Sequence, residues 1–250
     1  MKEKKKIKIS LKTVTILIIL AIIIFVCIGF IFNKFLNKTN NTSYTNTNST
    51  TNTSNSRQEN NKSNYITAYK PIIYLYPTKD TEVSVKLKYK DNITVSYPKY
   101  SDGWNVLAKK DGSLIDISTN KNLYSLYYEN KNAVKFKVEK DGFIVKGTNI
   151  AEFLEEKLSI LGLTERETEE FIIYWLPKLE TNKYNYIRFA TTDEINENMP
   201  LEINPNPDTI IRVLMTFKGL EKPINIQEQQ VETTNRTGFV AVEWGGTEIE

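Results

Sequence analysis

Residues 82–97 read EVSVKLKYKDNITVSY, and their two-residue alternation decides the class of the fold. Val83, Val85, Leu87 and Tyr89 alternate with Ser84, Lys86 and Lys88, and Ile93, Val95 and Tyr97 repeat the pattern after Asp91-Asn92. This is the period of strands with one buried face. The same alternation recurs over 134–138, where Val134, Phe136 and Val138 are interleaved with charged residues. Asp111-Gly112 and Asp141-Gly142 separate further runs, and Asp-Gly is a favoured two-residue hairpin turn. KPIIYLYP (70–77) is bracketed by prolines, which marks it as an edge strand or the first strand of a sheet.

Downstream of these strands the period changes. Asn149–Leu161 has an Asn at its start, Glu152 three residues on, and Gly162 as its stop. Thr164 and Glu167 form a second capping box, ahead of the apolar face of Phe171, Ile172, Trp175 and Leu176. The short connection makes the pair a helical hairpin. Strands at 184–190, 210–217 and 239–244 complete the expectation. Residues 65–250 then form one α+β domain, an antiparallel sheet or sandwich with a helical hairpin packed on it.

Upstream the chain is of another kind. Residues 13–32, TVTILIILAIIIFVCIGFIF, carry no charge, and as a helix they span about 30 Å, the thickness of a hydrocarbon core. Six lysines precede the run within residues 1–12, against Lys34 and Lys38 just after it. The positive-inside rule places residues 1–12 in the cytoplasm and everything after Asn33 outside. The run is too long for the apolar part of a signal peptide and ends without small residues. Phe25 and Val26 before Cys27 are too bulky for a lipidation site. Residues 33–64 are rich in Asn, Ser and Thr, bury too little apolar surface to order themselves, and form a tether of roughly 30 Å. The expected location is the cell membrane, with the bilayer as partner of residues 13–32.

Composition excludes several chemistries. There is no histidine, and Cys27 is the single cysteine. The outer domain therefore has no disulfide, no Cys/His zinc site and no His-dependent nucleophile. Residues 1–64 hold ten basic and two acidic residues, and residues 65–250 hold 23 and 28, so the outer domain is mildly acidic and lacks the basic excess of a nucleic-acid binder. No calcium-loop spacing occurs. Neither a metal nor a cofactor is expected.

Several segments together carry a resemblance. KPIIYLYP (70–77), EVSVKL (82–87), FLEEKLSILGL (153–163), EEFIIYWLPKLETNKYNYIRF (169–189) and FVAVEWGG (239–246) are similar to a family of uncharacterised Gram-positive, Clostridia-like bacterial proteins. The resemblance implies a shared fold over most of 70–246 and brings no activity with it. The chain departs from that pattern at YSLYYEN (124–130), where a Trp before the acidic residue is expected.

With His and Cys absent, chemistry falls to carboxylates, Lys, Tyr and hydroxyls. Glu129, after Tyr127-Tyr128, and Glu243, before Trp244-Gly245-Gly246, are candidate catalytic acids, since a glycosidase works with two carboxylates on either side of a sugar. The simpler reading is that both sit at strand ends and that the rings are core, since acids at strand ends are common. Arg188 and Arg212 interrupt apolar strands and are candidate anion-binding residues, or internal ion-pair partners. Arg212 and Glu243 are expected to pair across neighbouring strands. Trp244 and the fourteen tyrosines are candidates for stacking on sugars, or for the core.

Two functions remain in view. One is a membrane-tethered extracytoplasmic binding or interaction module in a bacterial envelope, its partner a glycan or protein. The alternative is a carboxylate-dependent hydrolase of cell-wall or surface glycans, which requires Glu129 and Glu243 in one cleft. A sensory anchor fits poorly, because 12 cytoplasmic residues leave no room for an output domain. Protease added to cells stripped of their wall is expected to release a fragment starting near residue 65. Full protection of that fragment would reverse the orientation.

Overall fold

The structure is a computed structural model, and it describes residues 66–134 and 138–249. The expected cytoplasmic tail, membrane span and tether lie outside the described residues, as does part of the alternating run at 134–138. No helix among the described residues is long and apolar enough to cross a membrane.

Strand alternation sorts the apolar side chains into two cores on opposite faces of one large sheet. Its eight strands run in the order β12 (Gln227–Glu228), β8 (Asp141–Lys146), β9 (Tyr184–Phe189), β11 (Thr209–Leu220), β13 (Val240–Glu248), β1 (Ile66–Tyr76), β7 (Leu126–Val134) and β3 (Ile93–Tyr97). A second sheet of five strands runs β10 (Leu201–Asn204), β2 (Thr81–Leu87), β4 (Trp104–Ala108), β5 (Leu114–Asp116) and β6 (Lys121–Leu123). On one face of the large sheet, Ile72, Tyr74, Val242 and Trp244 pack against helices α1 (Ile150–Ile160) and α2 (Glu165–Leu179). On the other face, Ile73, Leu75, Ala241 and Leu126 pack against Val83, Val85 and Val106 of the small sheet. The result is three layers: helices, large sheet, small sheet.

The helical hairpin forms as its sequence implies. Ile150, Leu154 and Leu158 on α1, and Phe171, Trp175 and Leu179 on α2, recur every four residues and are buried. Gly162, at φ +92°, ends α1, with Leu163 N–H donating to Leu158 O (3.0 Å) and Gly162 N–H to Ser159 O (3.1 Å). That double bond pattern is the glycine-ended Schellman stop. Thr164 and Glu167 close the capping box of α2. Asn149 does not cap α1 with its side chain. Its Oδ1 instead accepts the Thr148 hydroxyl at 2.9 Å. A third helix, α3 (Thr192–Asn198), starts on its own capping box of Thr191 and Glu194 and was not expected.

Three expectations change. The large sheet is mixed, because β11 and β13 run parallel, as do β8 and β12. Residues 221–239 carry the chain back the length of the sheet before β13 begins, which a hairpin turn cannot do. Asp141-Gly142 lies inside β8 and makes no hairpin. Finally, β1 is no edge strand: it is paired by β13 on one side and β7 on the other. Pro71 is tolerated there because the β1–β13 register shifts between Tyr69 and Ile72, so its missing N–H falls at a bulge.

Gly245 and Gly246 lie across from that bulge. A Cβ on Gly245 would stand 3.1 Å from Pro71 N, and one on Gly246 would stand 2.7 Å from Trp175 Cζ2 and 2.9 Å from Met215 O. The Gly246→Ala variant is expected to lose about 1–3 kcal/mol by overpacking, read as a lower urea midpoint with unchanged slope.

Candidate functional site

Arg212 and Glu243 are register partners on the parallel strands β11 and β13, and both are buried. Arg212 Nε lies 2.6 Å and Nη2 2.5 Å from Glu243 Oε2. The Tyr128 hydroxyl donates to Glu243 Oε1 at 2.6 Å. Nη1 of Arg212 reaches Asn196 Oδ1 (2.7 Å) and Nη2 reaches Met199 O (2.8 Å), both at the end of α3. Burial, and then the charge of Glu243, push the Tyr128 hydroxyl far up, so it stays a donor. The pairing expected from sequence is present, and it occupies the Arg212 guanidinium. Arg212 offers no free fork to an anion, and Glu243 no free oxygen to a substrate.

Trp244 is likewise core. It is 0% exposed, with Phe171 edge-on at 5.3 Å and Tyr74 tilted at 6.4 Å between ring centres. No ligand can stack on it there. Arg188, also buried, joins three elements: Nε donates to Asp141 Oδ1 (3.2 Å) on β8, and Nη1 to Glu194 Oε2 (3.0 Å) on α3. Burial works to raise the Glu194 carboxyl, but the hydrogen bonds from Arg188 and Thr191 outweigh it and hold the group below its ordinary range. Of the two readings left open for each arginine, the geometry supplies the internal ion pair.

Glu129 is placed differently. Along β7, Leu126, Tyr128 and Asn130 are buried towards the small sheet, whereas Tyr127 and Glu129 point to the helix side. Glu129 and Glu243 therefore lie on opposite faces of the large sheet. The carboxylate pair that a glycosidase reading requires is not formed by these two residues.

Glu129 instead stands in a cleft beside α2, in two lobes that share Glu129 and Tyr174. The first lobe, about 530 Å³, is walled by Tyr97, Tyr124, Tyr127 and Lys70. The second, about 580 Å³, is walled by Tyr69, Lys178 and Glu248. Each is of the size that holds a small ligand. Tyr97 and Tyr127 are cross-strand partners on β3 and β7, so their rings share one face. Tyr97, Tyr124 and Tyr69 are 58%, 51% and 43% exposed, unlike the buried Tyr74, Tyr128 and Tyr186. Tyr127 donates its hydroxyl to Glu129 Oε1 at 2.7 Å. Burial, then Glu129, push that hydroxyl up, which keeps Tyr127 protonated and unsuited as a nucleophile.

Lys70 enters the cleft from the bulge. Its φ is +58°, a left-handed conformation that costs a non-glycine residue of order 1–3 kcal/mol. Its ammonium lies 5.1 Å from the Tyr174 ring centre and 5.9 Å from that of Tyr127. Of these residues, only Glu129 and the tyrosines as a class stand out in the sequence. Lys70 and Lys178 do not, because two lysines among many have no distinguishing spacing. Among the described residues no group of three or more His, Cys, Asp or Glu is placed to hold a metal ion.

No protein-family model matches the chain, and no solved structure does. Over 48 residues it is 48% identical to an uncharacterised protein in the bglA 3′ region of Butyrivibrio fibrisolvens, covering 18% of this chain and 50% of that protein. Over 93 residues it is 30% identical to carboxypeptidase A1 of Mus musculus, covering 34% of this chain and 22% of that enzyme. The chain thus matches half or less of the length of each of these relatives. A carboxypeptidase A holds zinc with two His and one Glu, and this chain has no His to supply that centre.

Replacing Glu243 with Gln leaves the Arg212 charge buried without its counter-charge. The variant is expected to lose about 3–5 kcal/mol in denaturant unfolding, and the double variant Arg212→Met/Glu243→Leu distinctly less. A loss below about 1 kcal/mol, the worth of an exposed pair, would contradict the structural role.

Proposed function

We propose that the chain is a membrane-tethered binding module facing the outside of a bacterial cell, and that its folded domain takes an envelope ligand in the tyrosine cleft. The supporting observation is the convergence of five tyrosine rings around Glu129, three of them well exposed. Rigid amphipathic rings at a concave surface give contact area at low entropic cost. The uncharged run 13–32 is read as the anchor, and 33–64 as the tether that holds the domain clear of the headgroups. The likeness to the Butyrivibrio protein accords with a bacterial source, and membership of the KPxIYLYP/EWGG family belongs to the same reading.

Of its two candidate acids the hydrolase alternative keeps only Glu129, whose Oε1 is already held by the Tyr127 phenol, while Glu248 lines the second lobe. That arrangement serves binding better than glycoside cleavage.

Full-length protein in detergent micelles should bind isolated cell envelopes. Tyr97→Ala and Tyr124→Ala are each expected to weaken binding about tenfold or more, as loss of a central aromatic contact does. Ile173→Ala, on the exposed side of α2 away from the cleft, should leave binding unchanged. Binding that survives both tyrosine changes would remove the cleft from the function. Release of soluble glycan fragments that stops in Glu129→Gln would make the protein an enzyme.

A further inference from the structure

The cleft carries two ammonium groups that are held in no salt bridge. Lys70 Nζ faces Tyr174 and Tyr127 in the first lobe, and Lys178 Nζ lies 4.8 Å from the Tyr174 ring centre at the second. Neither makes an ion pair among the described residues, although Glu129 and Glu248 line the same walls. The buried and half-buried arginines, by contrast, are matched: Arg188, Arg212 and Arg236 each hold a carboxylate. Two lysines flanking one half-buried ring, neither in an ion pair, form a repeated feature along a groove. The left-handed backbone at Lys70 fixes where its side chain leaves the bulge, and strain of this kind persists only where the surrounding structure over-determines it.

We propose that the cleft binds an acidic glycan, a chain of pyranose rings that carry carboxylates. The inference rests on the binding-module reading above and names its ligand class. Sugar rings present flat C–H faces to the exposed tyrosines, and two lobes joined at Tyr174 accommodate more than one ring. Ring hydroxyls donate to Glu129 Oε2, which accepts no hydrogen bond from the described protein, while Oε1 is already held by Tyr127. The carboxylates of neighbouring sugars meet Lys70 and Lys178 in charge-assisted hydrogen bonds. A neutral glycan would offer neither ammonium group a carboxylate. An acidic peptide would bring its charges to Glu129 with few hydroxyl donors to offset the repulsion.

The test uses full-length protein in micelles and oligosaccharides of galacturonate, mannuronate and glucuronate–N-acetylglucosamine, each beside its methyl ester. Calorimetric titration should show at least one acid form binding about tenfold more tightly than its ester, the scale of one hydrogen bond to a charged group. Lys70→Gln and Lys178→Gln should each lower affinity for the acid towards that of the ester and leave the ester unchanged. Tyr124→Ala should weaken both forms. Equal affinity for acid and ester, or indifference of the acid to both lysine changes, overturns the proposal. So does binding of an oligoglutamate peptide in place of every sugar. If no acidic sugar binds while tyrosine-dependent envelope binding persists, this inference falls and the binding-module reading stands. If envelope binding is itself indifferent to the tyrosines, the reading falls first.

Discussion

Strand β1 has to be buried on both faces and hydrogen-bonded on both edges, yet it contains a proline. Everything around it is arranged to meet that constraint. The bulge at Lys70-Pro71 takes the missing donor out of the β1–β13 ladder, and Gly245-Gly246 leaves the room that the bulge and Trp175 need. Because the strand resumes its alternation at Ile72, Ile72 and Tyr74 turn to the helices while Ile73 and Leu75 turn to the small sheet. The same bulge sets Lys70 into the cleft. Core packing and the shape of the candidate site therefore depend on one irregularity.

The two sides of the large sheet treat charge differently. Towards the small sheet and α3, Arg212, Glu243 and Tyr128 lock together out of water, and Arg188 joins β8, β9 and α3. These groups hold strands and a helix in place and are closed to ligands. Towards the helices, the cleft sets Lys70 and Lys178 against aromatic rings with no carboxylate in salt-bridge contact, and leaves one oxygen of Glu129 without a donor from the described protein. A buried charge is a structural commitment, and an unmatched charge in a cleft is available for binding.

Local signals in the sequence were legible where local physics decides. The period-two runs at 82–87 and 93–97 became strands, and Gly162 and the Thr164–Glu167 box bounded the hairpin. The interior pairing of Arg212 with Glu243 was also legible, because a charge mid-run among apolar residues needs a partner. What escaped was set by long-range pairing. The proline-bracketed β1 looked like an edge, since a bulge opposite two glycines 175 residues later cannot be seen from its own residues. Parallel pairing of β11 with β13 depends on a long return segment with no period. Glu243-Trp244-Gly245-Gly246 looked like chemistry for a related reason: aromatic and acid side by side are equally the marks of a strand whose two faces enter two cores. The cleft draws its walls from β1, β3, β7 and α2, and no spacing within one segment reveals it.

The order in which β13 meets its partners has a kinetic consequence. It sits between β11 and β1 at the middle of the large sheet, yet its residues are the last described strand to be synthesised. Until they emerge from the ribosome, β1 and β11 each keep an unpaired edge, and the halves of the sheet have no ladder between them. Joining β1 to β13 closes most of the described chain into a single loop, an entropic cost met in one late step. The domain thus stays open through nearly all of its own synthesis. On the proposed reading of a domain carried across a bilayer in extended form, that delay means that no finished sheet has to be pulled apart on the way.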